Sequence, residues 1–377
     1  MPEPLSALEL TEALIACPSV TPAAGLVFDF LEAQLIPLGF AVHRAVSGEL
    51  PDGPVENLFA CRQGPDGSRH FAFAGHVDVV PPGEGWTSGP FLPERRGDLL
   101  HGRGAVDMKG AIAAMVAAAR DIPAEAGTLS LIITGDEEGP AKYGTVALIE
   151  HMRLVGAIPD LCLVGEPTSA GRLGDTMKIG RRGSVNIWLE VLGSEGHVAY
   201  PQRADNPAPR LVALLAELDA LVLDEGTEWF QASNLEITDI GVGNPATNVI
   251  PPRANARVSI RFNDIHTGES LAALVTQIAA RHGGSARAVV SGEAFLTPPG
   301  PFSELVQTAV EAETGLRPEA STTGGTSDAR FLRALCPVIE FGLSNATMHK
   351  RDEAVAIADL DVLARIYRRI AEAALAG

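Results

Sequence analysis

Cysteine is sparse in this chain of 377 residues: Cys17, Cys61, Cys162 and Cys336 are scattered, with no CxxC pair. A disulfide framework is therefore not expected, and the thiols read as reduced and mostly buried. Positive charge is scarce as well. The 29 lysines and arginines face 47 acids, and the net charge of −18 argues against nucleic acid or an anionic membrane surface as a partner. A local arginine cluster can still hold an anionic substrate, because charges act strongly at short range. No apolar stretch reaches the length of a membrane span. The N-terminus carries Glu3 and Glu9 and lacks a basic segment followed by a continuous apolar core, so no signal peptide is expected. Low-complexity tracts and internal repeats are missing too. These absences leave a globular composition, expected to be soluble and cytoplasmic, and long enough to make two domains the natural starting point.

The apolar patterning divides the chain. Residues 5–16 and 25–38 have helical periodicity, carried by Leu5, Leu8 and Leu14, then Leu26, Phe28, Leu31 and Leu35. Short, nearly continuous apolar runs then alternate with helical stretches to about residue 178, the clearest helix being Gly110–Ala119. That alternation predicts an α/β domain whose mainly parallel sheet is covered by helices on both faces. After Gly180 the style changes. Val185, Ile187, Leu189 and Val191 alternate with polar neighbours, as in a half-buried strand. A helix near 207–223, strands near 234–241 and 253–263, a helix near 268–282 and a strand near 285–291 follow. The order βαββαβ predicts an inserted α+β ferredoxin-like domain over 180–292, a candidate lid or dimerisation surface. Residues 293–377 resume the first style, so the catalytic domain is expected to be discontinuous, 1–179 with 293–377.

Four apolar runs and one glycine-rich stretch lead to metal-ligand residue types. Phe71–Gly75 leads into His76 and Asp78, the glycine-rich stretch around Gly104 holds Asp107, and Leu129–Gly135 delivers Asp136, Glu137 and Glu138. Leu161–Gly165 delivers Glu166, and Val338–Gly342 leads to His349. Each alone has an ordinary explanation: a structural His–Asp pair, a helix cap, a solvated acidic loop, a surface histidine. Together they are harder to dismiss, because sites in open α/β sheets form beyond the carboxyl ends of the strands. Two imidazoles and several carboxylates gathered there would be the inventory of a two-metal hydrolase. Alternate residues of a strand share a face, so Asp78 is expected to orient the His76 ring. Of the neighbouring acids, one can bind metal while the other moves protons.

The segments GHVDVVPPG, HGRGAVDMKG, GDEEG, GEPT, GHVAYP, NATNVIPP, GGTSDARF and SNATMHK, in this order, resemble the aminoacylase and carboxypeptidase family of co-catalytic zinc amidohydrolases. The resemblance spans about residues 5–370. It implies two zinc ions per subunit, with cobalt or manganese able to substitute. One would be held by His76, Asp107 and Glu166, the other by Asp107, Glu138 and His349. Glu137 would be the general base, Asp78 the orienter of His76, and His197 the oxyanion donor reaching across a homodimer. Asn248 matches a further residue from the inserted domain. Carboxylates on a substrate call for arginines. Arg181 and Arg182, after Lys178, and Arg261 are the candidates, with Arg181 and Arg261 matching the family's substrate ligands and Ser184, Gly325, Thr326 and Asn345 around them. Gly324 beside Gly325 would let the backbone approach a ligand closely. Ala329 departs from the pattern, since glycine often follows the Ser–Asp pair. The segments GRRGS, NATNVIP and GGTSD point within the family to hydrolysis of the N-succinyl amide of L,L-2,6-diaminopimelate. A deacetylase acting on acetylornithine is the nearest rival, and a non-catalytic dimeric metal-binding regulator the rival of another class.

Overall fold

The computed structural model describes residues 4–376. Met1–Glu3 and Gly377, which the expected domain boundaries and the reading of the N-terminus include, lie outside the described residues. Two compact units emerge. The first takes in the chain up to Ile179, Thr297–Ser321 and the chain from Ser327 on; the second is Gly180–Leu296 with Thr322–Thr326. The second unit thus runs four residues past the boundary expected at 292, and it takes Thr322–Thr326 out of the segment assigned to the first.

Numbered along the chain, the strands that build the two main sheets are β1 (Ala41–Ser47), β2 (Val55–Arg62), β3 (His70–His76), β4 (Thr128–Thr134), β5 (Leu161–Val164), β6 (Thr176–Lys178), β7 (Gly183–Leu192), β8 (Asn234–Gly241), β9 (Arg253–Phe262), β10 (Gly284–Gly292), β11 (Glu319–Ser321) and β12 (Val338–Glu340). The sheet of the first unit has the order β1-β2-β4-β3-β5-β12-β6-β11. Its centre, β4-β3-β5-β12, is parallel, whereas β1–β2, β2–β4 and β12–β6 pair antiparallel. The sheet is therefore mixed, parallel where the candidate ligands emerge. β3 is buried at every position, which requires cover on both faces.

Helices supply that cover. Ser6 and Glu9 form a reciprocal capping box that starts α1 (Ala7–Ile15). The periodic stretch 25–38 becomes α2 (Leu26–Leu35) followed by a 3₁₀ turn over Ile36–Leu38, because Pro37 cannot donate to a continuing α-helix. α3 (Lys109–Asp121) is buried from Lys109 to Ala119 and packs against α1, β3 and the C-terminal helix Ile357–Ala376. A small side chain at Ala111, Ala113, Ala114, Ala117, Ala118 and Ala119 lets those neighbours approach closely. All four cysteines are free, but only Cys162 is buried; the other three are partly exposed, contrary to expectation.

The second unit is an antiparallel sheet of order β8-β9-β7-β10, the ferredoxin-like topology. Val185, Ile187, Leu189 and Val191 of β7 are buried against Leu211, Leu214 and Leu218 of the helix Pro207–Asp219 and against Leu271, Val275 and Ile278 of the helix Gly268–Arg281. Each such side chain contributes roughly 1.5–3 kcal/mol by leaving water. Trp188 faces outward, with the Arg287 guanidinium 4.3 Å from its ring centre. Among the described residues no helix is long and apolar enough to cross a membrane.

Candidate functional site

Because β3, β4, β5 and β12 run parallel, their carboxyl ends lie on one edge of the sheet, and the segments leaving that edge carry the expected acids and imidazoles. His76 is the last residue of β3, Glu137 and Glu138 follow β4, and Glu166 follows β5. Asp107 lies in the turn before α3. Between β12 and His349 a 3₁₀ turn over Asn345–Thr347 intervenes, and His349 itself has φ +60°. This left-handed conformation is uncommon for a residue with a Cβ. Gly342 is needed where it is, since a Cβ there would stand 2.5 Å from the carbonyl oxygen of Glu166.

The side chains converge into two groups that share one acid. His76, Asp107 and Glu166 form one; Asp107, Glu138 and His349 form the other, with ligand atoms in each group within 4.8 Å of one another. Asp107 Oδ1 lies 3.1 Å from His76 Nε2, and its Oδ2 lies 3.1 Å from His349 Nε2. His349 Nε2 is also 2.9 Å from Glu138 Oε1, and His76 Nε2 is 3.9 Å from Glu166 Oε1. One carboxylate thus turns a different oxygen to each group.

The charge balance explains what this arrangement needs. Hydrogen bonds with His349 and His76 outweigh burial and hold the Asp107 carboxyl well below its usual range. Burial would depress the His76 pKa, but Asp107 and Asp78 raise it well above the ordinary value. His349 is pushed up to about 10 by Asp107 and Glu138. So many acids at close quarters demand positive charge, and two divalent cations meet that demand at the ligand atoms themselves. The donors are nitrogen and oxygen without sulfur, a set that suits zinc, cobalt or manganese.

Glu137 is a member of neither group. Burial, then the adjacent Glu166 carboxylate, hold its pKa well above the ordinary range, with Asp328 and Glu138 adding to the effect. Asp328 has no role that its motif, GGTSDARF, announces. It is buried, its Oδ2 accepting the Thr145 hydroxyl at 2.6 Å, and its proximity to Glu137 was invisible in a sequence separation of nearly two hundred residues. Asp136 is likewise in neither group, and it accepts the amide of Lys142 at 3.0 Å.

Asp78 differs from expectation. β3 ends at His76, so strand alternation does not carry through to residue 78. His76 Nδ1 meets the backbone carbonyl oxygen of Asp78 at 2.9 Å, while the carboxylate is 3.5 Å away. That carboxylate instead accepts the backbone N–H groups of Glu137 at 3.2 Å and Glu138 at 3.0 Å.

The remaining candidates, except Asn345 in the first unit, lie in the second. There Arg181 Nη1 donates to the Gly325 carbonyl oxygen at 3.1 Å, and Gly324 has φ +107° with that guanidinium against it. Ser184 pairs with Arg261 across β7 and β9, and the buried Ser184 Oγ has no hydrogen-bond partner among the described residues. Burial lowers the Arg261 pKa. Arg182 donates to Asn234 Oδ1 at 2.9 Å. Thr326 belongs to the Thr322–Thr326 segment. His197 and Asn248 are exposed and close together: Val198 donates to the Asn248 carbonyl oxygen at 3.1 Å, and His197 Nδ1 accepts the Ala199 amide at 3.1 Å. Ala329, where glycine is common in similar sequences, is buried at the start of a short helix, Ala329–Leu332.

The model of peptidase family M20/M25/M40 matches residues 72–373. The chain belongs to this family. Its M20 relatives include succinyl-diaminopimelate desuccinylases of Novosphingobium aromaticivorans, 73% identical over 98% of this chain and 99% of the relative, and of Erythrobacter litoralis, 69% identical over 98% and 99%. Among solved M20 structures, a dinuclear metal binding peptidase from Bacillus subtilis has the same fold, with a TM-score of 0.71 at 16% identity over 98% of this chain and 97% of that one. An M20 chain with two ligand groups sharing one acid carries candidate ligands for a pair of metal ions.

Proposed function

We propose that this protein hydrolyses the amide of N-succinyl-L,L-2,6-diaminopimelate, releasing succinate and L,L-2,6-diaminopimelate for lysine and diaminopimelate biosynthesis. The observation that carries the substrate assignment is 73% identity, over nearly the full length of both chains, to a succinyl-diaminopimelate desuccinylase. Glu137 belongs to neither ligand group yet feels the charges of Glu166, His76 and Glu138, which supports the chemistry.

In this reading His76, Asp107 and Glu166 would hold one zinc ion, and Asp107, Glu138 and His349 the other, with cobalt or manganese able to replace them. When bound, the cations supply Lewis acidity to the amide carbonyl and make a water easier to deprotonate. Glu137 takes the proton from that water and later delivers it to the leaving amine, a task suited to a carboxyl whose pKa is raised by burial. Asp78 holds the peptide segment bearing Glu137 and Glu138, and its backbone carbonyl fixes the tautomer of His76. Arg181 and Arg261 bind the substrate carboxylates, and Ser184, Asn248, Gly325, Thr326 and Asn345 supply further contacts to the substrate. The protein acts as a cytoplasmic homodimer in which His197 of the partner subunit stabilises the developing oxyanion and the second unit serves as lid and dimerisation surface.

Specificity constants test the assignment. A panel of N-succinyl-L,L-diaminopimelate, its acetyl analogue and N-acetylornithine should favour the succinylated substrate by orders of magnitude. A preference for N-acetylornithine would replace it with the deacetylase.

A further inference from the structure

Glu353 lies four residues beyond His349, outside every motif that drew notice in the sequence. It is fully buried, 0% exposed, although it is an acid. A buried carboxylate is costly unless its oxygens are occupied. Here both are. Oε1 accepts the backbone N–H groups of Val106 at 2.8 Å and Asp107 at 3.1 Å. Oε2 accepts the N–H of Gly104 at 3.1 Å and Arg103 Nη1 at 2.7 Å. The backbone carbonyl oxygen of the same residue accepts the N–H of Gly102 at 2.9 Å. The glycine-containing turn that ends in Asp107 is therefore wrapped around one side chain.

Arg103 supplies the compensating charge. It is 2% exposed and lies with its guanidinium 5.1 Å from the ring centre of Trp86. The two ends of this connection matter. One is the backbone of Asp107, the acid common to both ligand groups. The other is the short segment that carries His349, anchored in addition by pairing of Ala354–Ala356 with Leu99–His101. A carboxylate on a turn with glycines at 102 and 104 would otherwise sample many directions, and ordering it during metal uptake would weaken binding.

We propose that Glu353, neutralised by Arg103, is a positioning residue that locks the Asp107 turn to the His349 segment and so presets the geometry of the metal pair. The proposal rests on the reading of Asp107 as the shared metal ligand. Glutamine at 353 keeps one acceptor oxygen but places an amide NH2 against backbone donors or Arg103, so the set of bonds cannot be rebuilt. Groups that orient metal ligands typically change affinity by about 10–100-fold when altered.

The experiment titrates cobalt(II) into the full-length protein stripped of metal, following heat and visible absorption, for wild type, Glu353→Gln, Glu353→Asp and Arg103→Lys, with thermal melting recorded alongside. Expected are two cobalt ions per wild-type chain and, for Glu353→Gln, about 10–100-fold weaker uptake at the site containing His349 with an altered cobalt spectrum. Partial recovery is expected in Glu353→Asp, which keeps the charge, and near-normal uptake in Arg103→Lys. Unchanged affinity and spectrum in Glu353→Gln, with only the melting temperature lowered, overturns the proposal and leaves Glu353 a fold residue. Failure of both Glu353 variants to fold overturns it in the same way. A wild-type chain that takes up fewer than two cobalt ions is a different failure, that of the ligand assignment itself.

Discussion

The carboxylate of Asp78 accepts the backbone N–H of Glu137 at 3.2 Å. Its other oxygen accepts the N–H of Glu138 at 3.0 Å, so one side chain sets the position of both neighbouring acids. Asp78→Ala leaves these amides without their acceptor and frees the loop. We expect kcat to fall about 10–100-fold with little change in KM, since substrate contacts are untouched. Kinetics with saturating metal check this; a variant with unaltered kcat would show that the loop holds its shape without Asp78.

Glu137→Ala removes the proposed proton-transfer group and spares every proposed ligand. Metal content should stay near wild type while turnover falls by roughly 10²–10⁴-fold. Elemental analysis and kinetics on the same sample make the comparison, and unimpaired turnover would remove Glu137 from the mechanism.

His197 is exposed and belongs to the second unit, whereas the candidate metal ligands belong to the first. His197→Ala should lower turnover with metal content unchanged. Mixing it with Glu137→Ala protein should restore activity, because a hybrid dimer contains one site with both residues intact. If no activity returns although a size measurement shows hybrid dimers, the across-dimer role is wrong.

Asp224 predicts a pH effect. Burial would raise its pKa, but hydrogen bonds from Ser233, Gly226 and Asn263 hold it down to about 2. A folded value below the ordinary 3.8 means that the stabilisation is fully present above that pH and is lost as pH falls toward 2. Asp224→Asn should therefore cost about 1–2 kcal/mol at neutral pH, the lower end allowing for solvent screening. The gap from wild type should shrink steadily below about pH 4. Urea melts at several pH values read it directly, and a gap that stays constant down to pH 2.5 contradicts the assignment.

Much of this was legible in residue order. The alternation of Val185, Ile187, Leu189 and Val191 places β7 with one face buried, and apolar runs ending in His76, Glu138 and Glu166 mark the edge of the sheet where ligands gather. The alternation of strands and helices announced the parallel centre of the sheet, but not the antiparallel pairing of β1 with β2 and of β2 with β4 at its edge. Interactions made by backbone atoms were not legible either. Asp78 and Glu353 act through amide groups, which every residue but proline possesses and no motif records. The segment Thr322–Thr326 falls with the second unit because of contacts with residues distant in sequence, such as Gly325 with Arg181.

The most direct test is a count of metal ions in wild type and Asp107→Ala. Each oxygen of Asp107 faces a different imidazole at 3.1 Å, so in the proposed arrangement both cations would depend on this one carboxylate. Elemental analysis after dialysis against zinc should find two ions per wild-type chain and, in folded Asp107→Ala, at most one that a weak chelator removes. Two tightly held ions in the variant would contradict the shared-ligand account.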